Sequence, residues 1–352
     1  MVDGRDRDGT RTRYPGRFFR RKSRRRGATH PAMEKLVSEV LLGPEESYRL
    51  SLPERPGTDF DGGLAAFMAK ASQLSYSVAQ DYHALGDKLT ELTGVSLVRG
   101  EFVPVLGITE FVDTRAFIGA TEQFIVVSFC GTQPLDLKDW LTDFGFDPLE
   151  RELPFCPGRV VSVHTGFNQA LELVWESVCS TVLKFRSKKE TPSRPVYFTG
   201  HSLGGALAML ASTWVPAKYI DWVGGVYAFG APVVGDHRLH EVHRELMGWR
   251  TWRYVNDRDI VPKVIPEGYV RMGDLRSINI SSRELRELKW RKPSVALVEK
   301  VARLLLPEGI DDHYPECYLQ GALQDMEGNR TGEVPWTARV VAAALQLWLR
   351  IH

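Results

Sequence analysis

Residues 199–205 read Thr199-Gly200-His201-Ser202-Leu203-Gly204-Gly205, and the fold prediction begins from this motif. An apolar run at 195–198 leads into it and an alanine-rich run at 206–211 leaves it, which predicts a strand, a sharp turn and a helix. In the pattern G-x-S-x-G, the glycines allow a crowded, strained backbone that holds the serine hydroxyl out at the carboxyl end of the strand. Ser202 is therefore a candidate nucleophile. The alternative is a serine that only starts a helix after a glycine turn.

Strand and helix patterns alternate on both sides of this turn. Helical periodicity predicts helices at 62–82 and 83–92, and an amphipathic helix after Phe167. Apolar runs predict strands at 103–108, 116–118, 123–129, 160–163, 195–198, 222–229 and 250–255, with a further strand within 268–280. Alternating strands and helices favour an α/β fold with a mostly parallel central sheet and helices on both faces.

The length of the chain sets the expected domain organisation. With 352 residues, of which 43% are hydrophobic, the chain can bury one large core. We expect one domain over residues 32–352, with a charged helical insertion at about 281–307 and a last amphipathic helix at 337–349. Two interpretations are open for that helix: packing on the core or lying on a membrane interface.

Charge is distributed unevenly along the chain. Residues 1–33 hold eleven Arg or Lys against three Asp, whereas the rest holds 34 basic and 41 acidic side chains. Residues 1–31 therefore predict a disordered basic tail, and the mildly acidic body indicates no nucleic-acid partner. The tail has three interpretations: an arm for anionic membrane or nucleic acid, an inert tail, or sequence upstream of a true start at Met33.

The sequence shows no sign of a metal or cofactor site. The four cysteines are widely spaced and form no C-x-x-C pair, which indicates neither a disulfide framework nor a zinc site. His240 and His243 are one residue too close together for the zinc-protease pattern H-E-x-x-H, and no phosphate-binding glycine motif occurs. We expect neither metal nor cofactor. Because no secretory signal or membrane span is recognisable, we expect a cytoplasmic protein.

A serine nucleophile needs a histidine base and a carboxylate that orients the histidine. On a fold with this turn the chain order is serine, acid, histidine, and of nine histidines only His313 and the terminal His352 follow the candidate acids. We expect His313 as the base. Asp259 follows the strand at 250–255 and is the expected acid, with Asp257 as the competitor in the same loop.

Acyl transfer also needs two hydrogen-bond donors for the oxyanion. One is the backbone N–H of Leu203, the residue after the nucleophile. Thr132 follows a predicted central strand within Cys130-Gly131-Thr132 and can supply the second donor. The alternative for Thr132 is an ordinary turn from strand to loop.

Several ordered motifs together resemble the class 3 (fungal-type) triacylglycerol lipase family of α/β-hydrolases over roughly residues 60–325. They are the Phe129 to Thr132 turn, Asp139-Trp140-Leu141-Thr142-Asp143, His164-Thr165-Gly166-Phe167, Gly200 to Gly204, Tyr227 to Gly235, and Asp259-Ile260-Val261-Pro262. The resemblance implies an α/β-hydrolase fold with Ser202 as nucleophile, Asp259 as acid, His313 as base, and Thr132 with Leu203 as the oxyanion hole. It also implies a lid that includes Leu135, Leu137, Trp140 and Leu141.

Two positions depart from the family pattern. The family commonly has Arg where Cys130 stands, at the turn that leads to Thr132. The region from Asp312 to Leu319 resembles the H-x-x-x-x-Y form of bacterial members more than the secreted fungal form. His164 belongs to a family motif but has no catalytic role in this scheme, so we interpret it as structural.

The expected function is hydrolysis of carboxylic acyl esters, with lipid acylglycerols as substrates, through a Ser-Asp-His triad and an acyl-enzyme. Phospholipase and short-chain esterase activities use the same triad and remain open. A rival of another class is a hydrolase fold without catalysis that serves as a binding or scaffold protein. The expected partners are a lipid or ester substrate and a lipid surface contacted peripherally.

Overall fold

A computed structural model describes seven ranges of the chain: 48–78, 82–108, 113–132, 148–154, 156–188, 194–280 and 311–328. Several expectations from the sequence lie outside these ranges. They are the basic tail at 1–31, the lid residues Leu135, Leu137, Trp140 and Leu141, the insertion at about 281–307 and the last helix at 337–349.

The strand before Ser202 lies in the middle of a seven-stranded sheet within the described part of the chain. Its order is β1-β2-β3-β6-β7-β9-β11, and from β3 onward all neighbours are parallel. β1 and β2 add to one edge as antiparallel strands. The members are β1 (Phe102–Ile108), β2 (Asp113–Ala120), β3 (Ile125–Phe129), β6 (Val196–His201), β7 (Val223–Phe229), β9 (Thr251–Asn256) and β11 (Asp274–Ile278). The predicted mostly parallel sheet is confirmed.

Helices cover both faces of this sheet. Because side chains alternate across a strand, Tyr197 belongs to the hydrophobic core on one face of the sheet and Phe198 to the core on the other face. The described helices are α1 (Gly62–Leu74), α2 (Tyr82–Thr93), α3 (Thr165–Arg186), α4 (Leu203–Thr213), α5 (His237–Met247) and α6 (Pro315–Met326). The two cores lie on opposite faces of the sheet, and the prediction of helices on both faces is confirmed.

A second, four-stranded antiparallel sheet was not expected from the sequence. Its order is β10-β8-β5-β4, with β4 (Pro148–Glu152), β5 (Val160–His164), β8 (Gly235–Asp236) and β10 (Tyr269–Val270). Two of these strands are only two residues long, too short to leave a periodic pattern.

Some predicted element bounds are wrong. The single strand expected within 268–280 is divided into β10 and β11, and between them Gly273 adopts a positive φ of 82°. The helix expected at 62–82 ends at Leu74 and continues only as a 3-10 turn over Ser75–Ser77. All four cysteines are free thiols. In the described ranges we find no helix long and apolar enough to cross a membrane.

Candidate active site

The turn at Ser202 joins β6 directly to α4. Ser202 has φ 57° and ψ −126°, and it is the one non-glycine residue with positive φ in the described ranges. A Cβ on Gly200 would overlap the main chain of Gly204, and a Cβ on Gly204 would overlap the carbonyl of Phe129. The glycines of the motif are therefore required because strand, turn and helix start touch one another.

His313 and Asp259 form a buried pair at the same edge of the sheet. The Nδ1 atom of His313 lies 2.6 Å from Oδ2 of Asp259, and the two side chains are 2% and 0% exposed. The other carboxylate oxygen of Asp259 accepts a hydrogen bond of 2.8 Å from the Val261 N–H. A carboxylate so placed fixes the imidazole with its proton on Nδ1 and its lone pair on Nε2.

Asp257, the competing acid, does not contact His313. Its Oδ1 is buried without a hydrogen-bond partner among the described residues, and burial raises the pKa of its carboxyl group. Its main-chain carbonyl accepts a hydrogen bond from the Lys263 ammonium. Of the two acids that the sequence left open, the structure brings only Asp259 to the histidine.

Asn256, at the end of β9, ties the two loops of this pair together. Its Nδ2 donates to the carbonyls of Ile280 and Asp312, at 2.8 and 2.9 Å. Its Oδ1 accepts from the N–H groups of Asp257 and Ile280. Because a single buried amide bonds to chain segments before both Asp259 and His313, it holds the two loops in register.

Sequence reasoning gave no role to Tyr318, although it noted the tyrosine five residues after His313. The Tyr318 hydroxyl donates to Oδ2 of Asp259 and accepts from the N–H of Asn256 at 3.2 Å. Burial and the neighbouring Asp259 raise the pKa of Tyr318 well above its usual value, so the hydroxyl keeps its proton. Tyr318 therefore holds the carboxylate that orients His313.

His201, the first of the two variable residues in the G-x-S-x-G pattern, links the serine turn to His313. Its Nε2 lies 2.6 Å from the carbonyl oxygen of His313, and its Nδ1 lies 2.7 Å from the Tyr76 hydroxyl. A carbonyl can only accept, so Nε2 carries the proton and Tyr76 donates to Nδ1. Burial, with His313 as a second cause, lowers the pKa of His201 well below its usual value, which keeps the ring neutral.

Three polar atoms around Ser202 are buried and have no hydrogen-bond partner among the described residues. They are Oγ of Ser202, Nε2 of His313 and Oγ1 of Thr132. Buried polar atoms are normally paired, so unpaired ones at one site point to a function. Proton transfer would use the Ser202 hydroxyl and the His313 Nε2 lone pair, and neither makes a hydrogen bond to another described residue.

The two expected oxyanion donors lie on adjoining segments. Leu203 begins α4, where the N–H groups lack intrahelical acceptors. A Cβ on Gly204 would lie 2.2 Å from the Phe129 carbonyl oxygen, and a Cβ on Gly131 would lie 2.5 Å from the His201 carbonyl oxygen. The turn that carries Thr132 therefore lies against the serine turn.

Cys130 stands in that turn as a buried, unreactive side chain. Its Sγ donates to the Gly131 carbonyl at 3.3 Å, and burial raises the pKa of its thiol to about 12. Ser75 supports the turn from α1's side, with its hydroxyl 3.4 Å from the Phe129 carbonyl. At the position where the family commonly has Arg, this chain therefore has a buried thiol, and the neutral Ser75 hydroxyl contacts the same turn.

His164 has the structural role expected for it. Its Nδ1 accepts a hydrogen bond of 3.1 Å from the Gly166 N–H and so caps the start of α3. Its ring stacks on Phe167 with the centroids 4.2 Å apart.

A family model of class 3 lipases matches residues 126–269, which include Thr132, Ser202 and Asp259. The resemblance of this segment to the class 3 lipase family is confirmed. His313 lies beyond the matched segment, and its likeness to bacterial members stays a prediction.

Several known proteins are similar to this chain over part of their length. A secreted mono- and diacylglycerol lipase of Malassezia restricta is 33% identical over 146 residues, which cover 40% of this chain and 47% of that protein. A lipase of Rhizomucor miehei is 31% identical over 169 residues, or 46% of this chain and 44% of that protein. The chain thus spans about half the length of the curated relatives it matches.

A solved structure shares the fold. It is that of a triacylglycerol lipase whose catalytic centre is formed by a serine protease triad. The TM-score is 0.51 and the identity 25%, and the match covers 62% of this chain and 81% of that one. The α/β-hydrolase fold expected from the class 3 lipase resemblance is confirmed.

Proposed function

We propose that the chain is a serine carboxylic ester hydrolase that cleaves lipid acylglycerols. The observation that carries the proposal is the buried pair of His313 and Asp259, 2.6 Å apart, beside a strained Ser202 whose hydroxyl is unengaged. A serine, a histidine and a carboxylate in this relation form the apparatus of nucleophilic acyl transfer.

In the first half of the reaction, Ser202 Oγ attacks the carbonyl carbon of the ester while His313 Nε2 takes the hydroxyl proton. The negative charge moves to the carbonyl oxygen, where the N–H groups of Leu203 and Thr132 stabilise it; one such donor contributes roughly a hundredfold or more in rate. His313 then gives its proton to the alcohol oxygen, the C–O bond breaks, and the acyl group stays on Ser202.

In the second half, water replaces the alcohol. His313 Nε2 takes a proton from the water, the resulting hydroxide attacks the acyl carbon, and the proton passes to Ser202 Oγ as the fatty acid leaves. The Asp259 side chain stabilises the imidazolium. Tyr318 and the Val261 N–H hold both of its oxygens in place.

Two relatives support lipid esters as the substrate class. Their names describe a mono- and diacylglycerol lipase and a triacylglycerol lipase.

Rates on an ester series of increasing acyl length, below and above the solubility limit, test this substrate class. We expect higher rates on long-chain acylglycerols above that limit; equal rates on soluble short-chain esters would identify an esterase, and preference for phospholipid a phospholipase. The expected cytoplasmic location and peripheral contact with a lipid surface stay predictions.

The nucleophile is tested by labelling with a fluorophosphonate, which reacts with activated serines. We expect one label per chain in the wild type, none in Ser202→Ala, and unchanged labelling in Ser180→Ala, an exposed serine on α3. An unlabelled wild-type protein that is folded by circular dichroism would favour the rival reading, a binding or scaffold protein on a hydrolase fold.

A further inference from the structure

A buried lysine closes the loop that carries Asp259. Lys263 ends the 3-10 turn Val261–Lys263, a few residues after Asp259 in the chain, and it is 7% exposed. Its Nζ donates a hydrogen bond to the main-chain carbonyl of Asp257, which precedes Asp259. The lysine side chain therefore folds back past Asp259 and joins the two ends of the loop.

The main-chain hydrogen bonds of this loop span a shorter stretch of chain than the lysine does. The Asp259 N–H donates to the Asn256 carbonyl at 3.1 Å, and the Lys263 N–H donates to the Ile260 carbonyl at 3.0 Å. The bond from the Lys263 ammonium spans six residues and has Asp259 between its ends. Loss of the ammonium would keep the short bonds but remove the contact between the two ends of the loop.

The carboxyl groups around Lys263 explain why a cation stands here. A buried charge is costly, and a neutral donor could also bond to a carbonyl. Burial lowers the pKa of Lys263, whereas the carboxyl groups of Asp257, Asp259 and Asp312 favour its charged form, and Arg271 opposes it. Three carboxyl groups thus lie close enough to act on one ammonium, and Asp259 is among them.

The aromatic groups that face His313 from other elements are neutral. The His201 ring lies 4.6 Å from the His313 ring, and burial lowers the pKa of His201 well below its usual value. The Tyr318 ring lies 6.4 Å away, and burial raises the pKa of Tyr318 well above its usual value. Another buried cation, Arg253, interacts with Arg271 and Tyr318. The cation that acts on Asp259, the partner of His313, is Lys263.

We propose that Lys263 is a positioning residue of the active site, which closes the loop around Asp259 and whose positive charge opposes protonation of His313. This role rests on the proposed ester hydrolysis, in which His313 takes the proton of Ser202. A cation near a base disfavours the protonated base, because the two positive charges repel each other. The lysine therefore extends the activity toward lower pH.

The test is the pH dependence of kcat/KM for hydrolysis of a soluble p-nitrophenyl ester by the full chain. Its acid limb reports protonation of the catalytic base in the free enzyme, which a purely structural role of the lysine would not change. In Lys263→Met we expect this limb to lie about 0.5–1 pH unit higher than in the wild type, because a nearby positive charge is lost. Lys263→Gln is equally neutral and should shift the limb in the same direction, so either variant decides if the other fails to fold.

Two further variants separate the charge of Lys263 from its surroundings. Lys263→Arg keeps a cation and a donor, so its acid limb should stay within about 0.2 pH unit of the wild type. Arg258→Gln removes an exposed cation from the same loop and is the matched control, because solvent screens an exposed charge. On the plateau above the acid limb, kcat of Lys263→Met should fall by about threefold to tenfold with KM unchanged, and Lys263→Arg should recover it.

The outcomes distinguish failure of this role from failure of the proposed function. A folded wild type that hydrolyses no ester contradicts the proposed function and, with it, the role of Lys263. An active wild type whose acid limb coincides with the limbs of the neutral Lys263 variants overturns the role of Lys263 alone. An equal shift of the limb in Arg258→Gln also overturns it, because the effect would then not depend on the buried position of the lysine.

Discussion

Ser202 meets two demands with one residue, since it must present a reactive hydroxyl and also occupy a backbone conformation that suits glycine. Its φ of 57° and ψ of −126° are held by β6 on one side and α4 on the other. Residues forced into such regions cost about 1–3 kcal/mol each and persist only where the surrounding structure fixes them. The strain is thus a local price of putting the hydroxyl at the sheet edge.

This strain predicts a stability difference between two inactive variants. Ser202→Gly removes both hydroxyl and Cβ, whereas Ser202→Ala removes only the hydroxyl. We expect the glycine variant to be more stable than the alanine variant by about 1 kcal/mol, the strain released less the larger chain entropy of glycine. Chemical denaturation measures the difference. Equal stability of the two would show that the turn stores no strain.

Tyr318 predicts a catalytic effect of a residue that does not touch the substrate. Tyr318→Phe removes the hydroxyl that holds Asp259, so His313 is less well oriented. We expect kcat to fall by roughly tenfold, about the free energy of one hydrogen bond to a charged group, with KM unchanged.

The matched control for Tyr318→Phe is Tyr254→Phe. The hydroxyl of Tyr254 donates to Oδ2 of Asp325 at 2.8 Å, a partly buried tyrosine–carboxylate bond away from His313. This variant should lose stability but keep its kcat. A similar loss of kcat in both would mean that Tyr318 acts only through general stability.

One buried ion pair lies where three elements meet. They are the start of β1, the end of α3 and the start of β6. Arg194 Nη1 lies 2.6 Å from Glu101 Oε2, and the side chains are 2% and 1% exposed. Arg194 also donates to the carbonyls of Thr121 and Phe185. Lys188 adds a second contact to Glu101 at 2.5 Å, but its side chain is 40% exposed.

Removing one partner of this pair should be strongly destabilising. We expect Arg194→Met to lower the free energy of unfolding by about 3–5 kcal/mol, because Glu101 is left buried without its counter-charge. Lys188→Met, the exposed comparison, should cost less than about 1 kcal/mol. Urea unfolding of the two variants checks the contrast; similar costs would show that Glu101 depends equally on both cations.

Predictability from sequence differed between elements for physical reasons. β3, β6 and β7 were visible because strands covered on both faces are continuous apolar runs. β8 and β10 were not, because two-residue strands have no period. Chain order selected His313, but it left Asp257 and Asp259 open, and only the contacts of the folded loop separate them. The bond of Tyr76 to His201 joins residues 125 apart, which no local pattern predicts.

For the whole molecule, two buried neutral histidines make stability depend on pH. Burial lowers the pKa of His243 to about 3 and that of His201 well below its usual value. Above about pH 6.5 these histidines are mostly neutral in both the folded and the unfolded chain. Below that pH they become protonated in the unfolded chain but stay neutral in the folded chain. Stability therefore falls with decreasing pH, for His243 down to about pH 3.

This dependence can be measured as the free energy of unfolding between pH 7 and pH 5. Each such histidine contributes a slope of up to about 1.4 kcal/mol per pH unit below its unfolded pKa. His243→Gln keeps a group able to bond to Thr251, which His243 contacts at 3.0 Å, and should reduce the slope. Identical slopes in the wild type and this variant would contradict a neutral buried His243.

The contact between Gly200 and Gly204 separates two kinds of constraint within one motif. Both glycines are needed for the chain to close at all, whereas Ser202 is needed only for chemistry. In a mutant library sorted for cellular abundance, with no selection on turnover, both glycines would be retained while Ser202 drifted toward glycine. A relative that has lost its nucleophile but kept the two glycines would therefore still fold. The two glycines by themselves indicate the fold of the turn and not catalytic activity.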